Sequence, residues 1–237
     1  MYHPLCRLPG CGDPGAESSG GNPGGEAVRR DHRCGGSYRK AGRNFRPCRY
    51  ERTDHIKKRL DNVRTLIQEP DFLEGKGLSN EVNIRIFCYD PKDEMIVRHF
   101  VNQLETDQSL ECHLKVCNLY KTFLSICEDM DIIDEIPNME KEDGREYLLE
   151  QIEYAIGNGE FIDKIQYEPH ELGDVLMLTG VGEVFPFLRV HALLEAMQPH
   201  FSRLPILVMY PGEFDGRHLK LFNRLLPNDY YRAFSVL

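Results

Sequence analysis

"DVLMLTGVGEVFPFLRVHALLEAM", residues 174–197, runs an apolar stretch into a glycine turn and then into a segment of helical spacing. Its first part, "DVLMLTGV", is nearly all apolar and reads as a strand buried on both faces. Its last part, "FPFLRVHALLEAM" (185–197), reads as an amphipathic helix. Strand, glycine turn and helix in that order form the layout in which α/β proteins often hold phosphate. The reading of this turn, as a ligand loop or as a bend, decides what kind of protein this is.

Outward from it, the same alternation continues. "LPILVMYPG" (204–212) is a second apolar strand, with Pro205 and Pro211 at its ends, where proline disrupts least. "VNIRIFCYDP" (82–91) is rich in branched and aromatic residues and stops at Pro91. "LECHLKVCNLY" (110–120) and "YYRAFSVL" (230–237) read as further strands. Helical spacing appears in "DHIKKRLDNVRTLI" (54–67), where Ile56, Leu60, Val63 and Ile67 share a face, Asp54 is the expected N-cap and Pro70 the stop. It recurs in "KDEMIVRHFVNQLE" (92–105), with Ile96, Phe100 and Leu104 as the apolar stripe. "KTFLSICEDMDIIDEI" (121–136) and "GREYLLEQIEYAI" (144–156) are two successive helices with acidic outer faces. "GRHLKLFNRLL" (216–226) reads as a last helix, with Asp215 as N-cap and Leu219, Phe222 and Leu226 on one side. Strands alternating with helices predict an α/β fold: a mainly parallel central sheet of about five strands with helices on both faces, a Rossmann-like three-layer sandwich.

Composition divides the chain near Arg52. Residues 1–52 hold ten of the twenty glycines and ten Lys/Arg against five Asp/Glu. Residues 53–237, expected to form a single α/β domain, carry nineteen against thirty-three, a net −14. The Gly/Arg-rich head has no strand or helix period, and such a segment buries too little apolar surface to offset its ordering entropy. Disorder, a basic tail that touches nucleic acid and a start placed too far upstream are its three readings. A body this acidic argues against direct DNA contact except through the head, because phosphate contacts need clustered Lys/Arg. No run of about eighteen apolar residues is present, so no membrane-spanning helix is expected. Of eight cysteines, Cys88, Cys112, Cys117 and Cys127 fall in apolar or amphipathic runs, as small hydrophobes. Cys6, Cys11, Cys34 and Cys48 form no C-x-x-C pair, which weakens a zinc reading of the head. A reduced, cytoplasmic protein is expected.

The turn itself departs from the known phosphate loops. "TGVGEVFPF" (179–187) has no lysine, and Phe185 stands where a dinucleotide fingerprint needs its third glycine. Ligands and partners of open α/β sheets nonetheless meet the carboxyl ends of the strands. Three strands end there in "YDPKDE", "TGVGEVFPF" and "YPGEFDG". Asp90, Lys92, Glu94, Gly180, Gly182, Glu183, Arg189, Tyr210, Gly212, Glu213, Phe214 and Asp215 are therefore the candidate interaction or ligand edge. Asp93 and Arg217 lie beside them. Such carboxylates can hold magnesium, but metal-ligand spacing is not evident, and Asp, Gly and Pro are ordinary loop residues. No G-x-S-x-G elbow and no H-x-x-x-H pair exists. Catalytic residues, metal ligands and cofactors are accordingly none. Phe185, Phe187, Tyr210 and Phe214 in these loops are of the kind that protein interfaces enrich, with Phe187 expected to pack inward.

The blocks "RLDNVRTLIQEPDFLEGKGLSNEV", "FCYDPKDEMIVRHFV", "LTGVGEVFPFLRVHALLEAMQP", "LPILVMYPGEFDG" and "LKLFNRLLPNDYYRAF" together resemble the BrxB family of bacteriophage exclusion (BREX) defence systems, over about residues 54–237. The head departs from that pattern. The resemblance implies a cytoplasmic, non-enzymatic adaptor or assembly subunit of an anti-phage complex. Its implied partners are a PglZ-type phosphatase-like protein and a BrxC-type ATPase, with a PglX-type methyltransferase as a further one. It transfers no catalytic residue. The competing expectation is a divergent nucleotide- or metal-binding enzyme that uses the carboxylates at the strand ends.

Overall fold

The apolar run of 174–179 forms β3 (Asp174–Thr179), the third strand in chain order and an interior strand of the sheet. In the computed structural model, residues 49–75, 83–201, 204–216, 218–225 and 235–236 are described, all within the unit Arg46–Leu237. The expectations for residues 1–48, including the Cys6, Cys11, Cys34 and Cys48 quartet, lie outside the described residues, as do Arg217, Leu226 and most of "YYRAFSVL".

β3 lies between β2 (His113–Asn118) and β4 (Ile206–Phe214). β4 pairs in turn with β1 (Ile84–Tyr89), and β1 with β6 (Ser235–Val236). All four of these pairings are parallel, in the order β2-β3-β4-β1-β6, as the alternation of strands and helices requires. Registers such as Leu176↔Ile206 and Ile84↔Ile206 align the apolar centres of three strands.

Because side chains alternate across a strand, one sheet supplies two cores. Leu176 and Leu178, Ile206 and Val208, Ile84 and Ile86 face one side. There they meet α4 (Leu119–Asp129), α6 (Arg145–Ala155), α7 (Asn158–Ile165) and α9 (Val190–Met197). Val175, Met177, Leu207, Met209 and Phe87 face the other side and meet α1 (Arg49–Leu66) and α3 (Glu94–Thr106). α2 (Pro70–Leu73) adds Phe72 to this second core. The direction of travel accounts for the split. α3 carries the chain from β1 past two strands to β2, whereas the later helices return it step by step to β3 and β4. Right-handed crossovers in opposite directions must lie on opposite faces. Burial on both faces makes β3 and β4 read as continuous apolar runs.

Several expectations are corrected. α1 starts at Arg49, since no Gly or Pro interrupts "RYERTDH", so Asp54 is inside the helix and not its N-cap. The buried stripe of α3 is Val97, Val101 and Leu104, with Ile96 and Phe100 only partly covered. The two helices expected between β2 and β3 are four, with α5 (Ile136–Glu142) and α7 added. α4 ends near Asp129, and Asp131 follows with a positive φ of 56°. The segment 185–189 is not helical. Phe185 is extended, as a residue before proline prefers, and α9 begins only at Val190. The largest correction concerns 216–226. There β5 (Leu219–Leu221) folds back antiparallel on β4, with pairs Gly212↔Leu221, Glu213↔Lys220 and Phe214↔Leu219. Asp215 closes the hairpin turn by accepting the His218 N–H at 2.8 Å instead of capping a helix. Gly216 supplies the positive φ of 92° that such a turn needs. Cys88, Cys112 and Cys127 are buried and Cys117 is half-buried, all as free thiols.

Candidate functional site at the carboxyl edge of the sheet

Where α3 crosses the ends of β2, β3 and β4, it leaves a cleft of about 530 Å³. Apolar Val97, Val101, Val116 and Met209 share its lining with polar Glu94, Arg98, Asn102, Glu105, Asn118, Lys121, Thr179 and Glu183. At one end, Arg98 joins two elements far apart in sequence. Its Nε donates to Glu94 Oε1 at 2.8 Å, and its second guanidinium arm donates to Glu183 Oε1 at 2.6 Å. Tyr89 donates its hydroxyl to the other oxygen of Glu94 at 2.7 Å. The hydrogen bond that Arg98 donates to Glu94 leads the causes that hold the guanidinium above its ordinary pKa. Burial first, and then the bond to Glu94, hold the Tyr89 hydroxyl far above the usual phenol range. Tyr89 is thus a fixed donor and no acid at neutral pH.

The glycine turn after β3 forms α8 (Val181–Val184), and its two glycines are explained by packing. Gly180 has a φ of +72°, and a Cβ there would lie 2.7 Å from Asn118 Oδ1. That oxygen is already the N-cap of α4, accepting the Lys121 N–H at 3.0 Å. A Cβ on Gly182 would lie 2.8 Å from the Phe222 ring and 3.1 Å from Pro211. The place over the turn is therefore filled by Phe222, which its own positive φ of 56° and an N–H bond to the Pro211 carbonyl (2.8 Å) hold there. Glycine here permits close approach of side chains from this same chain.

The expected edge residues fall into separate groups. Glu94, Gly180 and Glu183 come together in the cleft. Asp90, Gly212, Glu213 and Phe214 line a second, shallow groove with Arg59 and Asn223 at the ends of β1 and β4. Asp90 accepts the Lys92 N–H at 3.0 Å and so caps its turn, while Lys92 Nζ sits 3.9 Å from the same carboxylate. Glu213 and Asp215 share Lys220, at 3.6 and 3.1 Å, and the hydrogen bond to Asp215 is the main cause that raises its pKa. Phe214 is half-buried against the core of the α4 side, and Phe187 stacks on Phe123 at 4.6 Å between ring centres. Tyr210, 3% exposed, is part of that core and lies with Arg189 in a small apolar recess. Burial raises its hydroxyl pKa well above the usual range. Among the described residues no group of three or more His, Cys, Asp or Glu is placed to hold a metal ion.

Sequence reading missed Tyr89, Arg98, Asn102, Glu105, Asn118, Lys121 and Thr179 as lining residues. Two signals for them were present. Glu94 and Arg98 are an i,i+4 pair, and Asn118 stands at a strand-to-helix junction where an N-cap is due.

Comparison with known proteins decides the family. The family model described as "BREX protein BrxB" matches residues 115–236, which run from within β2 through β6 and include the glycine turn and the hairpin. The chain is 33% identical over 189 residues to BREX protein BrxB of Bacillus cereus (strain H3081.97), covering 77% of this chain and 97% of that one. This chain belongs to the BrxB family of BREX proteins. It is also 27% identical over 184 residues to BREX protein BrxB of Escherichia coli O9:H4 (strain HS), covering 76% of this chain and 90% of that one. No solved structure matches the chain. Family membership makes it a component of a bacteriophage-exclusion defence system. Among the described residues no helix is long and apolar enough to cross a membrane.

Proposed function

We propose that the chain is a non-enzymatic adaptor or assembly subunit of a BREX-type anti-phage complex, acting in the cytoplasm. Its partners on this reading are a PglZ-type phosphatase-like protein and a BrxC-type ATPase, and a PglX-type methyltransferase joins them. The observation that carries the reading is the state of the carboxyl edge. The Phe222 ring packs against Gly182, the Glu183 and Val184 N–H groups donate to the Gly180 carbonyl at 3.1 and 3.0 Å, and Arg98 engages both Glu94 and Glu183. Groups that an enzyme would turn on a substrate are here turned on one another. The test is size-exclusion co-elution of the full chain with the PglZ-type and BrxC-type proteins of the same host. A stable complex is expected. Separate elution of demonstrably folded proteins would count against the adaptor.

One observation favours a second reading, a divergent nucleotide- or metal-binding enzyme. The cleft under α3 brings an apolar floor, two amides and Lys121 together at a strand-end position. A ligand that binds only the folded state raises its stability. On the adaptor reading, neither ATP nor Mg²⁺ shifts the melting temperature of the chain. A shift of several degrees would move the assignment to this second reading.

A further inference from the structure

α6 turns Leu148 and Ile152 into the core and presents its opposite side to solvent. On that side Tyr147 is 45% exposed and Tyr154 is 92% exposed. The two lie two helical turns apart, with Glu150 between them, so all three share one stripe. Single exposed apolar side chains need no explanation. Two tyrosines aligned on one helix face form a surface, and its charge identifies what it would meet. Glu146 and Glu153 flank the stripe, and residues 128–171 hold fifteen Asp/Glu against three Lys/Arg, a net −12. The whole chain carries −9, so the other 193 residues sum to +3. The acidity of this protein resides in this one segment. Two of its three cations are already paired, Arg145 with Glu140 at 2.8 Å and Lys164 with Asp129 at 2.5 Å.

Glu146 lies in the first turn, where the helix dipole favours an anion, but the carboxylates further along crowd one another. Glu146 and Glu150 repel at i,i+4, and Glu150 and Glu153 at i,i+3. Glu153 also sits in the last turn, where the helix dipole favours a cation and no basic residue is present. Carboxylates placed against the preference of their own helix are relieved by a cation from outside. Guanidinium fits both features at once, since it stacks on tyrosine faces and pairs with carboxylates through two parallel N–H bonds. Nucleic acid is repelled by the same charge, and so is a second copy of this face.

We propose that the outer face of α6, centred on Tyr147, Glu150 and Tyr154, is the docking surface for an arginine-rich segment of another protein. The role of that surface in assembly rests on the adaptor reading above; its preference for arginine does not. The full chain is titrated with a labelled peptide of alternating Arg and Ser, and with its Lys counterpart, near physiological salt. The wild-type chain binds the Arg peptide more tightly than the Lys peptide. The double variant Tyr147→Ala/Tyr154→Ala keeps every charge and weakens the Arg peptide about tenfold, the size of two lost cation–π contacts. No binding by the wild-type chain, or equal binding by the double variant, overturns the proposal. The same variant is then run in the subunit co-elution. If the wild-type chain co-elutes and the variant does not, the face serves assembly. If both co-elute equally, that role is overturned. If the wild-type chain meets no subunit, the adaptor reading fails while the peptide titration still decides the surface.

Discussion

Gly212→Ala is expected to lower folding stability by about 3–6 kcal/mol, the cost of exposing two buried leucines. Gly212 stands in β4 opposite Leu221, and a Cβ there would run into the main-chain carbonyl oxygen of Lys220 and crowd the Tyr210 ring. A backbone atom in a paired strand cannot rotate away as a side chain can, so β5 must lift. Lifting it exposes Leu219 and Leu221, both buried, at about 1.5–3 kcal/mol each. It also withdraws Phe222 from the glycine turn, because Phe222 is bonded through its N–H to Pro211 beside that hairpin. Gly216→Ala serves as the comparison. It carries only the strain of a φ of +92° with nothing within 4 Å of the new carbon, about 1–2 kcal/mol. Urea midpoints of the two variants should rank in that order. A Gly212→Ala midpoint at or above that of Gly216→Ala would mean that β5 does not pair with β4 as described.

The same hairpin marks the limit of what could be read from the residues. β3 and β4 were legible because burial on both faces leaves almost no polar residue in "DVLML" or "PILVMY". The segment after β4 was ambiguous. Leu219, Phe222 and Leu226 sit at helical spacing, while Leu219 and Leu221 alternate as in a strand; Leu219 and Leu221 are buried and Phe222 is exposed. Asp215–Gly216 fits a helix N-cap and a hairpin turn alike. What decides between them is the close approach of Lys220 to Gly212, a tertiary contact. On α3 the stripe was displaced by one residue, since Ile96 and Phe100 are apolar but Val97 and Val101 face the sheet. The candidate site shows the same division. The Glu94–Arg98 pair is local and readable. Arg98–Glu183 spans 85 positions and exists because α3 crosses over the end of β3. The missing lysine, a departure of the glycine turn from the known phosphate loops, was readable from the residues alone. That Phe222 fills the turn follows only from the fold.

Phe161→Ala is expected to cost about 3–5 kcal/mol, the range for deleting a fully buried aromatic ring. Phe161 is 0% exposed on α7, in the same core as Leu148 and Ile152 of α6 and Leu193 and Leu194 of α9. Its neighbours belong to several elements, so the void cannot close by the shift of one side chain. At about 2–4 °C per kcal/mol for a domain of this size, the melting temperature should fall by roughly 10 °C. Tyr154→Ala, at 92% exposure, should change stability by no more than about 0.5 kcal/mol. The pair separates two ways of losing a partner. A destabilised Phe161→Ala chain should regain co-elution on cooling, because the α6 face is intact whenever the chain is folded. A Tyr147→Ala/Tyr154→Ala chain should fail at every temperature while remaining folded, because what it lacks is the surface itself. If cooling rescued the tyrosine variant as well, its defect would be one of folding, and the α6 face would lose its claim to recognition.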